Sequence, residues 1–129
     1  MTITRILIVE DEPHASSVLK SALGRRGPFH IREENDSTRA VATARSYRPD
    51  LIVLDVDLPW KDGCDVAMEI GFDPVLRAVP IVRFSTPTRE QAAASRGGAV
   101  PLAKPLNPNR LIDVITAALM EQTALRASS

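Results

Sequence analysis

Asp55 closes the apolar run Leu51-Ile52-Val53-Leu54, and Asp57 follows two residues later. A second acidic group, Glu10-Asp11-Glu12, closes the run Arg5-Ile6-Leu7-Ile8-Val9. Ser85 ends a third run, Pro80 to Phe84, and Lys104 follows a fourth, Ala99 to Ala103. These residue types suit one kind of chemistry. A carboxylate can act as a nucleophile and form an aspartyl phosphate. Several carboxylates held close together repel one another unless a cation sits between them. Hard oxygen ligands select magnesium or manganese, and magnesium typically takes only one or two protein carboxylates plus water. A lysine and a hydroxyl beside such a centre can hold phosphoryl oxygens, and phosphoryl transfer depends mostly on positioning and charge neutralisation. Each residue alone also has a plain structural reading. Asp55 could simply cap a βα turn, Ser85 could be a turn residue, and Lys104 a solvated charge. The signal is their shared position at the ends of four apolar runs.

The elements that must place them follow from periodicity. Runs of consecutive apolar residues read as strands buried on both faces, as in a parallel sheet. Arg5 to Val9 forms the first strand. Pro13 opens a helix with an apolar stripe of Val18, Leu19, Ala22 and Leu23, ended by Gly24 or Gly27. A short second strand spans Phe29 to Arg32. Asp36 or Ser37 caps a helix running to about Ser46, with Ala40, Val41 and Ala44 inward. Pro49-Asp50 introduces the third strand, Leu51 to Leu54. The loop through Pro59-Trp60-Lys61-Asp62-Gly63 leads to a helix carrying Val66, Ala67 and Ile70. After the strand Pro80 to Phe84, Thr88 caps a short alanine-rich helix ending at Gly97-Gly98. The last strand, Ala99 to Ala103, precedes a helix started by Asn107-Pro108, with Leu111, Ile112, Ile115 and Leu119 inward.

This βα alternation, five times over, predicts an α/β fold: a flavodoxin-like three-layer sandwich with a five-stranded parallel sheet in the order 2-1-3-4-5 and five helices. Pro101 places the fifth strand at an edge, since proline cannot donate to a central ladder. In this order the first and third strands are neighbours, which brings Glu10, Asp11, Asp55 and Asp57 to one crevice.

Size and charge narrow the function classes. The 129 residues make a single domain, with a core of about 4–122 and a frayed tail after Arg126. Lysines plus arginines number 16, as do aspartates plus glutamates, so there is no electrostatic footprint for nucleic acid or an acidic membrane. Cys64 is the only cysteine, which excludes an intrachain disulfide and fits a reducing compartment. It reads as a small residue early in a helix rather than as a reactive thiol. No apolar run reaches membrane-spanning length and no signal-peptide pattern opens the chain, so a cytoplasmic location is expected. His14 and His30 read as surface or packing residues.

From about Thr4 to about Gln122 the chain resembles the receiver domains of two-component response regulators. Ile6-Leu7-Ile8-Val9-Glu10-Asp11-Glu12-Pro13 is similar to the first-strand acidic motif of that family, and Arg48-Pro49-Asp50-Leu51-Ile52-Val53-Leu54-Asp55 to the approach to its phosphoacceptor. Leu58-Pro59 with Asp62-Gly63, Pro80-Ile81-Val82 with Ser85, and Lys104-Pro105 match its remaining motifs. The resemblance implies that Asp55 accepts a phosphoryl group from a phosphohistidine on a sensor histidine kinase or a histidine phosphotransfer protein. It implies that Asp11 and Asp55 bind magnesium (or manganese) directly, Glu10 through water, and Asp57 through its backbone carbonyl. Lys104 would pair with the carboxylate or phosphoryl oxygen. The Ser85 hydroxyl would bond a phosphoryl oxygen after a small inward shift.

Several positions depart from the family pattern. Pro101 stands where the family usually carries an aromatic residue, so the ring that swings inward with the hydroxyl is missing. Arg83 lies two residues before Ser85 and shares its face. It either extends into the space left by that ring or snorkels along the following helix. Thr86 is bulkier than the family's usual neighbour of the hydroxyl residue and could narrow access to Asp55. Asp57 and Pro87 flank the phosphoryl position. Trp60 is available for partner contact.

The leading expectation is a phosphoacceptor that regulates a downstream protein by binding it, not an enzyme and not a direct binder of nucleic acid or membrane, with weak dimerisation left open. No sequence follows the last helix for an output domain, so it is expected to be a single-domain regulator or a domain cut from a longer chain. Pro101 and Arg83 support an alternative, a degenerate receiver that binds partners without phosphorylation. The Asp55-Val56-Asp57 motif also resembles that of haloacid-dehalogenase-like phosphatases. That family, however, carries the motif on its first strand and further acids after its lysine.

Overall fold

A computed structural model describes residues 3–58, 62–86 and 101–128. Five strands, β1 (Thr4–Val9), β2 (Phe29–Glu34), β3 (Leu51–Asp55), β4 (Ile81–Ser85) and β5 (Leu102–Ala103), alternate with helices α1 (Pro13–Gly24), α2 (Ala40–Tyr47), α3 (Gly63–Phe72) and α4 (Pro108–Ser128). The strands pair in parallel in the order β2-β1-β3-β4-β5. The expected helix from Thr88 to Gly97-Gly98, and the residues Ala99, Val100, Trp60 and Pro87, lie outside the described residues.

Alternation along the strands builds two apolar layers. Ile6, Ile8, Leu51, Val53, Val82 and Phe84 face α1 and α4, packing on Leu19, Leu23, Leu111 and Ile115. Leu7, Val9, Ile52 and Leu54 face the other way, onto Ala40, Ala44 and Tyr47 of α2 and Val66 and Ile70 of α3. Both faces of β3 are therefore covered, and all five of its residues are buried.

Helix starts are set by side chains that accept otherwise unpaired N–H groups. Glu12 accepts from His14 and Ala15 at the start of α1, and Asp62 from Cys64 at the start of α3. Asn107 accepts from Asn109 at the start of α4. Asp36 caps a 3₁₀ turn (Ser37–Arg39) rather than α2 itself, which begins at Ala40. The α2 helix ends at Arg48, in a left-handed conformation (φ 57°), because Pro49 disfavours a continued helix.

Three sequence expectations are corrected. Val18 is not part of the inward stripe: it is 54% exposed, since the stripe through Ser16, Leu19 and Leu23 leaves it on the flank. The second strand runs on to Glu34 and not only to Arg32, because β1 offers partners along its whole length, through the pair Val9↔Glu34. Among the described residues the fifth strand is only Leu102–Ala103, with Pro101 buried just before it. β5 is at the sheet edge, where the proline in its approach removes no central ladder bond. Cys64 is buried in the first turn of α3 against Val56. Among the described residues no helix is long and apolar enough to cross a membrane.

Candidate functional site

The C-terminal ends of β1, β3, β4 and β5 meet at one crevice, where open α/β sheets place their ligands. Glu10 and Asp11 leave β1, Asp55 ends β3, Ser85 and Thr86 leave β4, and Lys104 follows β5. The backbone fixes this convergence. The Val56 N–H bonds the Phe84 carbonyl at 2.9 Å, and the Lys104 N–H bonds the Ser85 carbonyl at 2.9 Å.

Asp55 is only 2% exposed. Its Oδ1 accepts from the Asp57 N–H at 2.8 Å. Lys104 Nζ lies 3.0 Å from Oδ1 and 3.0 Å from Oδ2. Lys104 Nζ also lies over the Phe84 ring, 5.5 Å from its centroid. Burial alone would lower the lysine's pKa, but its bonds to Asp55 and Asp57 outweigh that and raise it.

Glu10 is 6% exposed. Burial, a hydrogen bond to Asp55 and repulsion from Asp55 together push its carboxyl up to about 8. Glu10 therefore keeps its proton near neutrality. Asp11 is also raised, by burial and by repulsion from Asp55 and Asp36, against a bond from the Ser37 N–H. Glu12 does not join them, because its carboxylate is committed to the start of α1.

This acidic group fits a divalent cation. Asp11 Oδ2 is buried without a hydrogen-bond partner, although buried polar atoms are almost always bonded. Repulsion among Glu10, Asp11 and Asp55 is the strain that a cation would relieve. Among the described residues no three acidic, histidine or cysteine side chains are gathered as a metal cluster. Magnesium does not require one, since it is commonly held by one or two carboxylates with carbonyl and water oxygens.

Asp57 was expected to act through its backbone carbonyl. Its side chain, expected at the flank of the phosphoryl position, has definite partners in the structure. The carboxylate turns towards β4 and β5, where Oδ2 accepts from the Thr86 N–H at 2.8 Å and Oδ1 from the Ser85 hydroxyl at 3.1 Å. Lys104 Nζ is 3.3 Å from Oδ2. Burial works to raise the Asp57 pKa, yet the bonds from Thr86, Ser85 and Lys104 bring it below the usual carboxylate range. The Ser85 hydroxyl, fully buried, is thus already turned into the crevice. Thr86 is exposed, and its backbone N–H points inward. The only sequence sign of this arrangement was the spacing of Asp55 and Asp57, which lets one hold the other's N–H and still reach the next strand.

Arg83 is half-buried on the β4 face shared with Ser85, opposite Leu54 of β3. His14 is exposed, and His30 Nδ1 lies 2.6 Å from the Tyr47 hydroxyl.

Residues 6–116 match the family model of the response regulator receiver domain. PdtaR, a transcriptional regulatory protein of Mycobacterium tuberculosis, is 33% identical over 115 residues, covering 89% of this chain and 56% of PdtaR. The chain thus spans about half the length of that relative. PilH of Pseudomonas aeruginosa is 30% identical over 118 residues, covering 89% of this chain and 97% of PilH. Among solved structures, the receiver domain of a Pseudomonas aeruginosa sensor histidine kinase superposes with a TM-score of 0.81. It is 27% identical, the match covers 92% of this chain and 98% of that one, and a magnesium ion is coordinated in its active-site cleft. With the strand order, the crevice and these matches in agreement, the chain belongs to the response regulator receiver domains of two-component signalling.

Proposed function

We propose that Asp55 accepts a phosphoryl group from a phosphohistidine of a sensor kinase or phosphotransfer protein, and that this changes the binding of a downstream protein. The observation that carries the reading is Lys104 bridging a buried Asp55 beside an acidic pair. An Asp55 oxygen would bond to phosphorus as the donor's phosphorus–nitrogen bond breaks, the electron pair leaving on the imidazole nitrogen. Lys104 and the hydroxyl of Ser85 would take phosphoryl oxygens, with the Thr86 N–H beside them. Asp11, Asp55 and the Asp57 carbonyl would hold magnesium, with Glu10 acting through water. Bound there, the cation would neutralise phosphoryl oxygen charge. Arg83 and Pro101 replace the usual aromatic relay, so the signal would leave through the ends of β4 and β5. On this reading the chain acts in the cytoplasm, turns over no substrate of its own and works through protein partners.

The test uses magnesium with a small phosphodonor such as acetyl phosphate, followed by intact mass and by the fluorescence of Trp60, the only tryptophan. One phosphoryl group should be gained by the wild type and none by Asp55→Asn. A magnesium response without an adduct, or no response at all, would instead favour a receiver that works without phosphorylation.

A further inference from the structure

The Asp57 carboxylate gathers donors from the ends of β4 and β5. Its two oxygens face three donors from two strand ends: the Ser85 hydroxyl at 3.1 Å, the Thr86 N–H at 2.8 Å and Lys104 Nζ at 3.3 Å. One of the three, Lys104, touches the Asp55 carboxylate as well. A carboxylate offers two anionic oxygens with the same hydrogen-bond chemistry as two oxygens of a phosphoryl group. The Asp57 N–H meanwhile bonds Asp55 Oδ1 at 2.8 Å. One residue therefore steadies the acceptor with its main chain and fills the acceptor's donor set with its side chain.

We propose that the Asp57 side chain is an intramolecular occupant of the phosphoryl-oxygen site, a positioning residue that must give up Ser85, Thr86 and Lys104 before a phosphoryl group on Asp55 can use them. The inference rests on the reading of Asp55 as phosphoacceptor. Two anions cannot share one set of donors without loss, because each bond to a charged group is worth more than a neutral one and a second anion adds repulsion. The unphosphorylated domain thus keeps its switch donors engaged, and the affinity of the site for a phosphoryl group is set partly by how readily Asp57 withdraws. Substitution of the side chain leaves the Asp57 carbonyl in place.

The test compares wild type, Asp57→Ala and Asp57→Asn, each shown to be folded by its melting transition. The first readout is the Thr86 amide proton in the free protein. It should move upfield and exchange faster in Asp57→Ala, with Asp57→Asn between, as the carboxylate acceptor is weakened and then lost. The second readout is beryllofluoride affinity at saturating magnesium. It should be roughly tenfold tighter in Asp57→Ala, the scale of one net hydrogen bond released from competition. An unmoved Thr86 amide with tighter beryllofluoride binding would mean simple charge repulsion and would overturn the occupancy. Equal beryllofluoride affinity in wild type and both variants would overturn it too, while leaving Asp55 as acceptor. Failure of all three proteins to bind beryllofluoride would remove the phosphoacceptor reading itself, and this inference with it.

Discussion

Gly63 is where the loop carrying Asp57 is fastened to α3, and replacing it with alanine tests that fastening. A Cβ there would meet the Val56 Cα at 2.5 Å and the Asp55 carbonyl oxygen at 2.6 Å. Both neighbours are backbone atoms of the segment that ends β3, so neither can rotate away. Relief requires the start of α3 to withdraw, which stretches the 3.2 Å bond from the Gly63 N–H to the Val56 carbonyl. Overpacking of this kind costs about 1–3 kcal/mol, and weakening the bond adds up to about 1 kcal/mol. The gain from replacing glycine in a helix, about 0.5–1 kcal/mol, offsets only part. Gly63→Ala should therefore be less stable by roughly 1–3 kcal/mol. Gly71 lies in the same helix with nothing within 4 Å of its Cβ position, so Gly71→Ala should be neutral or more stable by up to about 1 kcal/mol. Urea unfolding with unchanged m-values reads both. Magnesium titration should show weaker binding in Gly63→Ala alone, because the displaced backbone leads into Asp57. If Gly63→Ala is as stable as wild type, or if both variants shift alike, the close approach is not what holds this loop.

Two further outcomes follow from the electrostatics and hydrogen bonds. Burial and Asp55 raise Glu10 from 4.5 to about 8, so the folded state holds a proton that the unfolded chain has released. Glu10's contribution to metal-free stability should then be fully present below the unfolded value and be lost as pH rises from 4.5 towards about 8. Glu10→Gln should flatten that fall in urea midpoints measured across the window, and magnesium, which favours the ionised form, should bind more tightly as pH rises through it; a wild-type slope equal to that of Glu10→Gln would refute the assignment. The Tyr47 hydroxyl lies 2.6 Å from His30 Nδ1 and donates to the His30 carbonyl at 2.9 Å, so Tyr47→Phe should lower unfolding free energy by about 1 kcal/mol, with beryllofluoride binding unchanged.

The sheet was legible because its strands are buried on both faces. Leu51 to Leu54 and Ile6 to Val9 have no polar interruption, and that pattern leaves few alternatives to a parallel sheet. The meeting of Asp11, Asp55 and Lys104 followed from strand order alone. What escaped the sequence were side-chain commitments. Glu12 looks like a third acid of the site until its carboxylate is seen to cap α1. Asp57 looks like a backbone ligand until its carboxylate is seen to cross to Ser85 and Thr86. Val18 fits an inward stripe by residue type, yet a helix stripe is narrow and Leu19 and Leu23 already fill it. Periodicity assigns a face to each residue, but the choice of hydrogen-bond partner belongs to three dimensions.

The site divides along the sheet in a way that bears on how a signal would leave it. Glu10, Asp11 and Asp55 are carried by β1 and β3. β1 is held on its other side by six register pairs with β2, and both strands are packed on two faces. The donors Ser85, Thr86 and Lys104 are carried by the ends of β4 and β5, which among the described residues share two register pairs, with β5 at the sheet edge. Few backbone bonds and an edge position mark the less stable side of a structure. Asp57 spans the two halves, bonded to Asp55 by its N–H and to the donors by its carboxylate. On the proposed reading, a phosphoryl group that displaces this carboxylate leaves the acidic half fixed and repositions the donor half. With proline at 101, no ring is present to turn with Ser85. The paired ends of β4 and β5 are then the parts that would carry the change, and Asp57 is the residue whose release would start it.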